Sequence, residues 1–229
     1  YIVGLLVTKN SGGNTLDISA GSCYDPSSGK IISYAGTTGL SAGSLGASQW
    51  NQVYIYDSSG TATIEVVNNA APPSTTYAGT ARQGGTNSNR RWIGAFLTTA
   101  ASAIYAQDVA EGPAGQIAVT YLATTTATPF RCLSAGTQTT YTAVSLVGVI
   151  PRYVAIKCAA DTALDATAAG QVAMALSLDG TNTHNIAALY SPSASTFPGL
   201  GLTLVPERST PQIYYKMTGA NTPKGYIDI

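Results

Sequence analysis

Apolar and polar positions alternate along most of this chain, and the alternating runs are short. In Arg91–Leu97 (RWIGAFL), Trp92, Gly94 and Phe96 fall on one side and Ile93, Ala95 and Leu97 on the other. That is the two-residue period of a half-buried strand. Ser102–Gln107 follows a small-residue turn at Thr98–Ala101, so Asn87–Asp108 reads as a β-hairpin closing a module of about a hundred residues. Upstream, Ile2–Thr8 is an apolar strand and Lys9–Asn14 a turn. Thr15–Ser19 alternates and Ala20–Tyr24 continues it past a bulge at Gly21, while Asp25–Lys30 turns the chain into the strand Lys30–Ala35. Gly36–Ser48 reads as a glycine-rich loop. From Trp50, Val53 and Ile55 oppose Tyr54 and Tyr56; Asp57–Gly60 is a hairpin loop; Thr61–Val67 returns; and Asn68–Thr80 is a loop that prolines keep out of any ladder.

Val109–Gln116 (VAEGPAGQ) has small residues, a Gly-Pro pair and no periodicity, and reads as a linker. The second module begins at Ile117–Leu122. Phe130–Leu133, Thr140–Val144 and Tyr153–Cys158 read as strands, and Ala159–Ala169 as a short helix stopped by Gly170. Val172, Met174, Leu176 and Leu178 alternate with small residues, and Asp179-Gly180 is a hairpin signal before His184–Tyr190. Ser191–Gly201 is a loop, Leu202–Val205, Gln212–Met217 and Tyr226–Ile229 are the last strands, and Gly219–Gly225 is the final turn. Short strands at this spacing define an all-β chain of two sandwich-like antiparallel modules, residues 1–108 and 117–229, joined by a linker at 109–116.

Composition narrows the function. Among 229 residues, eleven basic and eleven acidic side chains leave no net charge, and only 10% of positions are charged. A nucleic-acid binder needs a basic face to displace counterions, and a membrane-surface protein a polybasic patch; neither is present. No apolar run reaches the ~20 residues of a membrane span. The hydrophobic share of 45% belongs to a folded chain, and tyrosine outnumbers phenylalanine fourteen to three. Tyrosine-rich, charge-poor surfaces suit contacts with sugars or proteins. The chain opens at Tyr1 without a methionine, inside an apolar run, as a piece of a longer or processed polypeptide would.

The candidate chemistry is thin. Three cysteines at wide spacing, Cys23, Cys132 and Cys158, give no disulfide framework or metal signature; they read as buried thiols, with a Cys132–Cys158 bridge open. The single histidine, His184, sits just past a turn and reads as a surface residue rather than part of a triad or metal site. Gly43-Ser44-Leu45-Gly46 has the wrong spacing for a nucleophile elbow, and Gly36–Gly46 lacks the lysine and helix of a phosphate loop. Asp161 with Asp165, or Asp179 and Glu207, are the carboxylates a glycan-cleaving enzyme would draw on, against a plain reading as solvated loop acids. Arg90 and Arg91 read as a solvated strand end or as partners of Asp108 across the hairpin. No catalytic residue, cofactor or metal site is expected. Loop aromatics are the candidate ligand contacts: Tyr77, Tyr190 and Phe197, whose faces can pack on sugar C–H groups, or else serve subunit contacts. Trp50 and Trp92 read as core.

Ala20-Gly21-Ser22-Cys23-Tyr24-Asp25, Trp50 to Tyr56, Ile64-Glu65-Val66 and Arg90-Arg91-Trp92-Ile93-Gly94, with the hairpin ending near Gln107-Asp108, together resemble the distal domains of tail-fibre and related appendage proteins of tailed bacteriophages. In that family a basic pair before an apolar-Gly step commonly closes such a module. The threonine-rich start of the second module, its Asp-Gly hairpin and Ile213-Tyr214-Tyr215 before a final strand resemble the ends of these fibres. The resemblance implies a β-rich homotrimer in the virion, on tail or capsid, partnered by other virion structural proteins. Its role would be attachment to a host-surface glycan or protein. A capsid-mounted head fibre or decoration protein, a polysaccharide depolymerase and a bacterial carbohydrate-binding module are the rival readings.

Overall fold

The computed structural model describes residues 2–25, 28–68, 72–74, 87, 89–111, 117–122, 129–152, 158–165, 172–181, 185–191, 199–204, 206, 209–219 and 223–229. Every strand pairing among them is antiparallel. The chain divides into two compact units, Tyr1–Ala123 and Thr124–Ile229.

The first unit opens with three long strands, each broken once. The run read as one strand from Ile2 to Thr8 is two: β1 (Ile2–Gly4) and β2 (Val7–Lys9). The break sits where Gly4 and Leu5 take positive φ values of 64° and 58°. The next strand breaks between β3 (Thr15–Ile18) and β4 (Gly21–Asp25), so the interruption precedes Gly21 rather than bulging at it. The third breaks at Gly36, φ 90°, between β5 (Lys30–Tyr34) and β6 (Thr37–Ser41), which places a strand inside the expected glycine-rich loop. The halves fall into two sheets, β1-β4-β5 and β2-β3-β6. A Cβ on Gly21 would lie 2.3 Å from the Val3 carbonyl oxygen and 2.5 Å from the Leu5 nitrogen, and one on Gly36 2.9 Å from the Ala20 nitrogen. Only glycine admits backbones this close.

The third sheet, β8-β7-β9, is formed by β7 (Trp50–Ser58) between β8 (Thr61–Asn68) and β9 (Arg91–Leu97). Leu5, Leu16, Ile18, Cys23, Ile32, Val53, Ile55, Ile93 and Phe96 form the core these sheets share. The expected alternation along β9 is interrupted: Val53 pairs with Gly94 and Tyr54 with Trp92, so Ile93 is a bulge residue. The bulge reverses the parity, sending Ile93 and Phe96 to the core and Trp92 to the opposite face.

The hairpin expected over Asn87–Asp108 is reduced to one bridge, Thr98 to Ile104, because β9 takes β7 as its partner. The linker expected at 109–116 is partly strand: β10 (Gln107–Glu111) pairs over five positions with β11 (Ile117–Tyr121), and both belong to the first unit. Residues 112–116 lie outside the described set. Among the described residues the first unit thus shows four small sheets rather than the two of a simple sandwich.

The second unit does pair two four-stranded sheets. One holds β12 (Arg131–Gly136), β19 (Lys224–Asp228), β14 (Cys158–Asp165) and β17 (Gly199–Leu204), in that order. The other holds β13 (Thr142–Ser145), β18 (Gln212–Gly219), β15 (Val172–Ser177) and β16 (Asn185–Ser191). A Cβ on Gly225 would come within 2.5 Å of the Met174 sulfur, and one on Gly136 within 2.7 Å of the Tyr215 ring, so glycines in one sheet seat side chains of the other. The helix expected over Ala159–Ala169 is instead strand as far as Asp165. Ala160, Thr162 and Leu164 are buried while Ala159 and Asp161 are exposed, the period of a strand. Pairing to β17 and β19 overrides the helical preference of the alanines. Tyr153–Lys157, expected as strand, lie outside the described residues.

The corner gives a direct test of stability. Gly21→Ala should lower the free energy of unfolding by about 2–3 kcal/mol, since backbone cannot yield to the added methyl as a flexible side chain would. Gly13→Ala, at φ +71° with nothing within 4 Å of the added carbon, should cost about 1 kcal/mol. Both tryptophans, Trp50 and Trp92, lie in the first unit, so denaturant unfolding followed by their fluorescence reads that unit alone. Equal losses for the two variants would contradict the corner argument.

Candidate binding face

Because β7 is the central strand of its sheet, both of its faces matter. Val53 and Ile55 point into the core, and Trp50, Gln52, Tyr54 and Tyr56 share the other face. That outer face is graded. At the β7 start, Trp50 is buried, with its ring edge-on to Tyr121 of β11 at 6.1 Å, and Tyr121 meets Tyr105 likewise at 6.2 Å. Burial pushes the Tyr121 hydroxyl pKa well up. Gln52 and Tyr54 are also fully buried.

Further along β7 the face opens. Trp92, brought opposite Tyr54 by the bulge, is half-buried and donates its Nε1–H to Gln52 Oε1 at 2.9 Å. The Arg90 guanidinium lies 3.4 Å from the Tyr56 ring centroid and donates its Nε–H to Glu65 Oε2 at 3.0 Å. A second donation, from Nη1 to Asn89 Oδ1 at 2.8 Å, fixes its plane. The three strands and the residue before β9 therefore hold two aromatic rings, one guanidinium and one carboxylate in a partly buried row. An arginine stacked on a ring and held by a carboxylate presents fixed donors beside an apolar surface. Arg90 pairs with Glu65, not with Asp108 as expected, because β8 and β9 both flank β7. Arg91 is buried rather than solvated, and Trp92 is a half-open face residue rather than core.

Of the loop aromatics proposed as contacts, Tyr77 and Phe197 lie outside the described residues, as do His184 and Glu207. Tyr190 sits on β16 opposite Ala173, so its position is strand rather than loop. Tyr56, Arg90 and Glu65 were not among those candidates. Tyr54 and Tyr56 alternating against Val53 and Ile55 is the sequence signal that marks the face.

The carboxylates distribute differently from their order in sequence. Asp161 and Asp165 are four residues apart on β14, ~13 Å in an extended strand, beyond the spacing of paired glycosidase carboxyls. Asp161 instead faces Asp228 across β14 and β19. Asp228 is held by Arg131 through two bonds of 2.8 Å, Nε to Oδ1 and Nη2 to Oδ2. Asp179 is engaged in its turn by the hydroxyls of Ser177 and Thr181. Among the described residues, no group of three or more His, Cys, Asp or Glu side chains could hold a metal ion.

All three cysteines are free thiols. β12 and β14, which carry Cys132 and Cys158, flank β19, so two strand spacings of roughly 10 Å separate them, outside disulfide reach. Burial, and next the Asp228 charge, push the Cys132 thiol up to about 12; burial raises Cys23 and Cys158 as well.

No protein-family model matches the chain, and no curated protein matches it. Among solved structures, one described as the structure of infectious bursal disease virus Gx strain aligns over 99% of this chain and 68% of its own, at 10% identity and a TM-score of 0.22.

The thiols supply a prediction with a definite sign. A Cys132 pKa raised in the folded state favours the protonated thiol. Its stabilising contribution is full below the ordinary thiol value of 9.0 and is lost as pH rises from there towards about 12. At pH 8 the native protein should alkylate at Cys132 at least tenfold more slowly than the urea-unfolded chain, measured by mass spectrometry of the cysteine peptides. Equal rates would contradict the burial argument.

Proposed function

We propose that this chain is a structural component of a virion appendage, of the tail-fibre kind its sequence resembles, and that it attaches to a host surface by non-covalent contact with glycan or protein. The observation that carries this reading is the partly buried row of Tyr56, Arg90, Glu65 and Trp92 on the outer face of the β8-β7-β9 sheet. The exposed part of the Trp92 ring can pack on the C–H groups of a sugar, with Arg90 and Glu65 beside it as donor and acceptor for hydroxyls. Such a contact is weak singly. Presentation in several copies, three by the resemblance, gives avidity without a tight individual site. The absence of net charge fits a contact that works at short range rather than by electrostatic steering.

Adsorption competition tests this. Purified protein added to host cells should block adsorption of the phage while leaving the surface polysaccharide at full length. Trp92→Ala should weaken blocking on the order of tenfold with cooperative unfolding retained. Shortened polysaccharide would overturn the reading in favour of a depolymerase. Absence of blocking by folded protein would overturn it in favour of a capsid-mounted structural role.

A further inference from the structure

Gln52 is out of pattern. It lies on the central strand β7 between Trp50 and Tyr54 on the outer face, with Val67 and Ala95 opposite it, and its exposure is 0%. Such a position ordinarily holds an apolar side chain, since glutamine is mostly exposed. Its amide is half used. Oε1 accepts the Trp92 Nε1–H at 2.9 Å, while Nε2 is buried and has no hydrogen-bond partner among the described residues. A buried donor left without an acceptor costs free energy, and an apolar side chain of the same shape escapes that cost.

Two indole donors flank this amide, and it serves only one. The Trp50 Nε1–H, two residues back on the same face, is also buried and has no partner among the described residues. The bulge at Ile93 sets Trp92 opposite Tyr54, diagonal to Gln52, and Oε1 is committed there. The amide cannot turn over, because Nε2 would then meet the indole N–H donor to donor. One bond therefore fixes both groups, and the ring it fixes is the half-buried Trp92. That ring does not need a buried acceptor for its own sake, since a half-buried indole can turn its N–H to water.

We infer that Gln52 is a positioning residue. It holds the Trp92 ring at one angle on the outer face, and the chain retains a buried, half-satisfied amide for that purpose at a cost in stability. The inference rests on the attachment reading and deepens it, because it names the group that pre-sets the ring for contact. A ring already at its binding angle loses little freedom when a sugar or protein surface packs against it. Without the bond, the indole N–H turns to water and the ring samples other rotamers. Gln52, fully buried, touches no host ligand and acts through Trp92.

Gln52→Met tests this, because methionine keeps the length and flexibility of glutamine and removes both the acceptor and the unpaired donor. Its urea midpoint, followed by tryptophan fluorescence, should equal or exceed that of the unmodified protein. Its binding to host cells, read with fluorescently labelled protein, should fall about fivefold, the worth of one lost hydrogen bond. The Trp92 indole N–H, identified in proton–nitrogen NMR spectra by its absence from Trp92→Phe protein, should exchange with solvent about tenfold faster. Trp92→Phe keeps an aromatic face without the N–H, so adding Gln52→Met to it should leave binding where Trp92→Phe alone puts it. Gln52→Leu is a second apolar replacement and should give the same results. A lower urea midpoint for both replacements, or an equal loss of binding in the Trp92→Phe background, would overturn the proposal in favour of a purely structural role. Unchanged indole exchange and unchanged binding, while Trp92→Ala still weakens binding, would overturn it and leave the attachment reading standing. Failure of Trp92→Ala to weaken binding would overturn the attachment reading and this inference with it.

Discussion

The close passage of three backbones at Gly4, Gly21 and Gly36 governs the first unit. A Cβ on Gly4 would fall 2.3 Å from the Ala20 carbonyl oxygen, one on Gly21 2.3 Å from that of Val3, and one on Gly36 2.9 Å from the Ala20 nitrogen. With no side chain in the way, three long strands bend together and pass from one sheet to the next. The Ser19 N–H donates to the Leu6 carbonyl at 3.0 Å and the Leu6 N–H to the Ser19 hydroxyl at 2.9 Å, so the polar groups released at the bend find partners. The bent layer wraps Leu5, Leu16, Ile18 and Cys23 around the inner face of β7. That leaves the outer face of β7 to carry aromatic and polar side chains on a strand whose position the core already determines.

The second unit uses glycine for a different purpose. Gly136 and Gly225 leave room on one sheet for Tyr215, Met174 and Met217 of the other. Arg131 and Asp228 close the outer surface of the same sheet with a two-point ion pair, whose planar geometry suits the guanidinium. Along β17 the leucines pass from buried at Leu204 to exposed at Leu200.

The fold class was legible because period-two alternation survives in most strands, most plainly in Val172, Met174 and Leu176, all buried in β15. Long-range decisions were not legible. Nothing local marks Leu5 as left-handed; that conformation is imposed by a neighbouring strand some fifteen residues away. The alanines of 159–165 favour helix until the pairings to β17 and β19 are known. Val109–Glu111 looked like linker because its strand partner, β11, lies beyond a Gly-Pro pair. The candidate face escaped the sequence for a related reason. Tyr56, Glu65 and Arg90 are far apart in sequence and meet only because β8 and β9 flank one strand, and a single bulge at Ile93 turns Trp92 outward.

In the proposed attachment, a face that pairs Arg90 with Glu65 beside Tyr56 and Trp92 makes a short-range contact with the host surface. Binding of fluorescently labelled protein to host cells, titrated across ionic strength, tests it most directly. Saturable binding should change little from low salt to several times physiological ionic strength, because no long-range charge attraction contributes. Saturable binding that collapses on adding salt, or no binding by folded protein at any ionic strength, would contradict it.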